Sequence, residues 1–244
     1  MRTRAEIKAI AKEAMGQQRG TSILLVLSVL AFSVLMMAAS FLWAQSQPLL
    51  YWVVYLVLMI VVVVWMVGVF GAFIKIYQGK ETGVGEVAAS LKVNFLRKLG
   101  ANLWMMLWIY LWSLLFVIPG IIKALAYYFT PNVLADCPNV TARQALKISM
   151  RITKGHKGKV FLLILSWIGW YILCGLTLGI LYIVHVGPYW YATDAGFYLE
   201  LRDQAIREGK LTWAELGKEE PQGQGFGQGF GQEQSQGFGV GIDD

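Results

Sequence analysis

Two histidines, two cysteines and a few ionisable side chains inside apolar runs are the residues of this 244-residue chain equipped for chemistry. His156 lies in a basic loop and His185 in an apolar run, and neither has a His or Cys neighbour at the spacing of a metal site. In the arrangement derived below, Cys137 and Cys174 fall near opposite faces of a membrane. A disulfide needs Cα atoms within about 7 Å, so none is expected. HExxH, GxSxG and phosphate-cradling glycine loops do not occur, and the paired acids Glu219 and Glu220 sit in a glycine-rich tail. These observations predict no enzyme, no cofactor and no metal.

A charge within a membrane-crossing helix costs about 2.5–3.5 kcal/mol on insertion scales, which makes such residues the default functional suspects. Lys123 lies close enough to a span end to snorkel. Asp194 lies eight residues before Arg202, roughly 12 Å along a helix, out of easy reach of water. Trp190, Tyr191 and Tyr198 share its stripe, and Lys75 is the best-placed cation. An Asp194–Lys75 pair, capping by Tyr191 and Tyr198, or a proton or substrate relay are all open to this placement. Trp104, Trp108 and Trp112 form an i, i+4, i+8 stripe that reads as packing or an interfacial belt, and Trp43 and Trp52 flank a neutral loop in the same manner.

The elements that position these residues follow from composition. Hydrophobic types make up 57% of the chain and charged types 15%, with a mean hydropathy of +0.53, more apolar surface than a soluble core of this length can bury. The expected fold is all-α, a polytopic bundle with spans at 20–43, 49–77, 101–118, 121–135, 160–176 and 180–201. Gly20–Trp43 is too long, and its leader too acidic, for a cleaved signal peptide. Pro119-Gly120 is expected to end the third span. Pro131 interrupts the fourth and Gly187-Pro188 the sixth.

Charge placement supplies an independent test. Twenty of the 21 Lys and Arg residues fall in four groups: before span one, after span two, between spans four and five, and after span six. Six spans put all four groups and both termini on the cytoplasmic side, as the positive-inside rule requires.

Each pair of spans follows a short amphipathic stretch. Ile7, Ile10, Ala11, Ala14 and Met15 share one side of the first. Val87, Ala88, Leu91 and Phe95 do so in the second, and Ala145, Ile148, Ser149 and Ile152 in the third. Thr141 is an expected N-cap and Gly155 an expected stop. The reading is three hairpins, each preceded by an in-plane helix whose cations suit anionic lipid. Pro131-Asn132-Val133-Leu134-Ala135-Asp136 weakly repeats in Pro188–Asp194, by duplication or by chance. Residues 1–216 form the membrane domain. From Gly217 to Asp244 the chain is rich in Gly and Gln, with Phe226, Phe230 and Phe238 between glycines, and is expected to be disordered. Residues 203–244 carry a net −5 against a total of +6. The tail is either a tether that docks a partner or an unselected extension.

The stretch Trp112–Leu125, containing IPGIIKAL, with Leu134-Ala135-Asp136, Ala145-Leu146-Lys147 and Gly155-His156-Lys157, resembles bacterial membrane proteins grouped as domain-of-unknown-function family 975. Arg4-Ala5-Glu6-Ile7-Lys8 is similar to the family's start, so the resemblance covers roughly residues 3–202 and excludes the tail. It implies a multi-span protein of the bacterial plasma membrane with no assigned reaction. Lys123 and His156 fall in its motif segments. The function expected is that of a non-enzymatic accessory or assembly factor acting through its basic cytoplasmic face and tail. The alternative is a small-solute or peptide transporter or channel with a path beside Asp194, His185 and the broken spans. Expected partners are the bilayer, anionic lipid at the cytoplasmic face, and a protein or second copy at the tail; nucleic acid is not expected.

Overall fold

The computed structural model describes residues 2–43, 47–177 and 179–219. Expectations placed on 44–46, 178 and 220–244, most of the tail included, lie outside the described residues. Eleven α-helices are found among them: α1 (Arg4–Gln17), α2 (Arg19–Trp43), α3 (Pro48–Tyr77), α4 (Val84–Lys92), α5 (Phe95–Leu115), α6 (Val117–Tyr127), α7 (Thr130–Asp136), α8 (Ala142–Thr153), α9 (Lys157–Leu165), α10 (Ile168–Leu176) and α11 (Gly187–Arg207). A π-turn at Tyr182–Val186 leads into α11, and a 3₁₀ turn follows at Ala214–Leu216. The described residues contain no strand.

Among the described residues, three segments are long and apolar enough to cross a membrane: Arg19–Leu42, Leu49–Tyr77 and Lys157–Leu176. The last bends at Ser166–Trp167, between α9 and α10. The other expected spans take different forms. α5 is 21 residues long, about 31 Å, but Asn102 and its tryptophans dilute its apolar character. The expected fourth span is divided by a turn at Tyr128–Phe129 into α6 and α7. The sixth becomes the π-turn plus α11, which continues past Leu201 to Arg207.

The prolines were placed correctly as discontinuities, but their sense changes. The chain breaks at Phe116, whose backbone is extended (φ −157°, ψ 139°), three residues before Pro119. Pro119 stands in the first turn of α6, where its missing N–H is no loss. Pro131 and Pro188 likewise stand in the first turns of α7 and α11. Gly120 lets α6 fold tightly against α5, since a Cβ there would lie 2.9 Å from Ser113 Cα. Gly187 follows the π-turn where a Cβ would meet the Tyr182 carbonyl at 2.8 Å.

The core gathers around the second half of α3. Val64, Val67, Val69, Phe73, Ile74 and Ile76 are buried, and α1, α4, α7 and α11 pack around this half. α2 also packs along α3, and Trp65 Nε1 donates to Ser28 Oγ at 2.9 Å. Large apolar side chains cover the outside of the long helices: Phe41 is 90% exposed, Leu49 80% and Leu176 76%. Such a continuous apolar surface fits lipid rather than water.

The first and third amphipathic stretches are single helices, whereas the second ends at Lys92 and its Phe95 begins α5. α8 begins with a capping box between Thr141 and Gln144, and Gly155 follows its end with φ +86°. The apolar faces of the first and third are turned into the protein, however, and not toward lipid, while of the second stretch Val87 is buried and Ala88 exposed. Ile7 and Ala11 of α1 are fully buried, α1 lies against α11, and Ala145, Ile148, Ser149 and Ile152 of α8 are buried. Only the polar faces of α1 and α8 are left for a membrane surface. Lys8 on α1 donates to Ser166 Oγ at 3.1 Å and covers the Trp167 ring.

Candidate functional site

Two buried polar clusters join α7 to α11. In the first, Asn132 Nδ2 donates to Asp194 Oδ2 at 3.0 Å, and the Tyr128 hydroxyl lies nearby. Asn132 is fully buried and Asp194 2% exposed. Asp194 Oδ1, Asn132 Oδ1 and Thr130 Oγ1 are buried with no hydrogen-bond partner. The expected pairing is therefore corrected. Lys75 binds Glu86 on α4, reached across the turn that follows α3. Tyr198 donates to Asp136 at 2.9 Å. Tyr191 points its hydroxyl at Met66 Sδ, 3.4 Å away, and stacks on Phe73.

Asp136 organises the second cluster. Its Oδ2 accepts from the Tyr198 hydroxyl at 2.9 Å and from Arg202 Nη1 at 2.8 Å, and its Oδ1 accepts from Lys218 Nζ at 2.5 Å. Arg202 also donates from Nε to Asp203 at 2.9 Å, and its guanidinium lies over the Trp213 ring. Burial acts to raise the Asp136 carboxyl, but Arg202 and then Lys218 outweigh it, so it is held below the ordinary carboxylate range. The neighbouring Cys137 is fully buried, and its thiol is pushed up to about 12 by burial and by the Asp136 charge. It is thus a packed thiol and not a nucleophile.

Asn132 to Asp194 and Asp136 to Tyr198 have the same sequence separation, 62 residues. One turn along α7 is thus matched by one turn along α11, and the two helices run in the same direction. This ladder was not anticipated. Asp136 entered the sequence reading only within a repeated motif and a segment of the family resemblance, and Arg202 only as a boundary charge. The available signal was an acid at a helix C-terminus, where the dipole disfavours it unless a cation is supplied.

The remaining candidates stand apart from the ladder. Lys123 Nζ lies 5.1 Å from the Trp112 ring centre and 5.8 Å from that of Tyr127, so it is held by aromatic faces. His185, in the π-turn, has its ring 5.8 Å from Tyr189 and 6.0 Å from Trp170. His156 precedes α9, and partial burial followed by Lys159 lowers its pKa, which keeps it neutral at pH 7. A groove of about 510 Å³ beside the π-turn is lined by Leu30, Tyr171, Cys174 and Tyr182. It does not include Asp194 or His185. No group of three metal-ligating side chains occurs among the described residues.

A family model described as "Protein of unknown function (DUF975)" matches residues 114–205. The resemblance read from the IPGIIKAL and GHK segments therefore stands over this part of the chain. Asn132, Asp136, Asp194, Tyr198 and Arg202 all fall inside the matched segment, whereas Lys75 and Lys218 fall outside it. Comparison with curated proteins and with solved structures gives no match.

Proposed function

We propose that the chain is a non-enzymatic membrane protein that serves as an accessory or assembly factor, presenting residues 220–244 from a fixed point on its basic face. The observation that carries this reading is the anchoring of the chain just before that segment. Lys218 is bound to Asp136, and Glu215 accepts from Arg151 of α8 at 2.6 Å. Arg143, Lys147, Lys154, Lys157 and Lys159 flank Arg151 in the sequence, so an acidic tail would leave the body from a point tied to its most cationic segment. On this reading the chain crosses the bacterial plasma membrane six times with both termini cytoplasmic. The third, fourth and sixth crossings are then supplied by α5, by α6 with α7, and by the π-turn with α11. The test is deletion of 220–244, which retains Lys218. Membrane insertion and thermal midpoint should persist while self-association or partner assembly is lost. An unchanged assembly state would contradict the proposal.

A second reading is favoured by the unpartnered oxygens of Asp194, Asn132 and Thr130, which together would suit a transported proton, cation or small solute. Proteoliposomes loaded with a pH-sensitive dye test it. Flux that requires Asp194 would favour transport, and a tight membrane with no flux would leave the accessory role as the working one.

A further inference from the structure

Helices α3, α4, α5 and α7 leave a cavity of about 320 Å³ between them, walled by Lys75, Arg97, Lys98 and one acid, Glu86. Glu86 is already taken by Lys75, and both side chains are about half exposed. The other two cations are in a different position. Lys98 is 5% exposed, and its ammonium donates to the Ser90 carbonyl at 2.6 Å. Arg97 donates to the carbonyl oxygens of Leu134 and Cys137, each at 2.8 Å, and of Val140, while its Nε is buried with no partner. Among the described residues no carboxylate lies at ion-pair distance from either.

Carbonyl oxygens solvate these cations without cancelling their charge, and the two stand next to each other in the chain. Burial disfavours both charges, and Arg97 further disfavours that of Lys98. A pocket of this kind is short of an anion. Its exposed wall is mixed: Val93, 54% exposed, with Ala89 and Pro138, beside Glu86 and Asn94. Leu96, Leu103, Leu107, Tyr110 and Leu114 share a separate face of α5, all more than half exposed. Arg97 and Lys98 leave α5 at about 100° and 200° from that face, so the cavity and the apolar face lie on different sides of the same helix.

We propose that this cavity binds the phosphate headgroup of an anionic phospholipid, with Arg97 and Lys98 facing the phosphate and the acyl chains remaining in the bilayer. Basic pockets between membrane helices bind acidic headgroups on this principle. Lys75, held only by a half-exposed pair, can leave Glu86 and join the ligand. The site rests on membrane embedding and is independent of the tail, so it stands or falls separately from the accessory role.

The test uses the purified full-length chain in phosphatidylcholine nanodiscs, titrated with phosphatidylglycerol, with thermal midpoint and lipid retained in native mass spectrometry as readouts. Phosphatidylglycerol should stabilise the protein and be retained, whereas glycerol phosphate and inorganic phosphate at equal concentration should do neither. Lys98→Gln should weaken retention about fivefold, the effect of one cation near an acidic headgroup. Ala89→Trp, at an exposed position on α4 that lines the cavity, should abolish retention while leaving the midpoint in pure phosphatidylcholine unchanged. Ala89→Trp decides the matter if Lys98→Gln fails to fold. Equal stabilisation by both lipids, or undiminished retention in Ala89→Trp, would overturn the proposal. Stabilisation by glycerol phosphate equal to that by the lipid would overturn the lipid as its source.

Discussion

Asn132 and Asp194, 62 residues apart, are joined side chain to side chain at 3.0 Å in a site sealed from solvent. The acid that looked like the natural partner of a lysine is instead held by an amide. Lys75 is engaged elsewhere, with Glu86.

A double-mutant cycle separates these alternatives. Asp194→Asn combined with Asn132→Ala should show a coupling of about 0.5–3 kcal/mol, the range for residues in one network. Asp194→Asn combined with Lys75→Met should be additive. Thermal or denaturant unfolding in detergent supplies the comparison.

Asp136 is the keystone of the second cluster. Asp136→Asn removes the more buried of the two acids that hold Arg202, leaving only Asp203, and breaking a buried pair from one side costs about 3–5 kcal/mol. Because the folded-state pKa is depressed, the carboxylate's contribution is fully present above the ordinary carboxylate range, near 4. It disappears as pH falls through the lower folded value. Wild-type stability should therefore decline below about pH 4, and the Asp136→Asn protein should lack this component of the decline.

Gly196 has no room for a side chain, because a Cβ would lie 2.3 Å from the Tyr77 ring. Tyr77 is itself buried between α3 and its neighbours. Gly196→Ala should then cost about 1–3 kcal/mol through overpacking. Adding Tyr77→Ala should make the alanine nearly neutral relative to Tyr77→Ala alone.

Cys137 should resist a maleimide at pH 8 in the folded protein, since its thiol is fully buried and its pKa stands at about 12. Labelling should appear only on unfolding. Fast labelling of Cys137 in the native state would show that the Asp136 cluster opens readily.

How much of this was visible in the sequence depends on whether the determinant is local. The start of α8 was readable because Thr141 and Gln144 cap within four residues, and its buried face because Ala145, Ile148, Ser149 and Ile152 repeat at the helical period. Prolines were ambiguous because the same residue ends one helix and suits the first turn of the next. Pro119, Pro131 and Pro188 all proved to be starts. The tail boundary at Gly217 missed Lys218, since nothing in a composition shift reveals a contact with a residue 82 positions earlier. Asp194 was correctly suspected as a buried acid, but its partner depended on the register between α7 and α11. That register is set by packing around α3. Arg97 and Lys98 were counted as boundary charges, although their burial among carbonyl oxygens is what distinguishes them.

The most direct test of the proposed role compares full-length protein with residues 1–219 in native membranes by blue native electrophoresis after mild solubilisation. The account predicts that the full-length chain migrates in a discrete assembly and that the truncated chain, equally abundant and equally inserted, migrates as a smaller species. Identical migration of the two would contradict it.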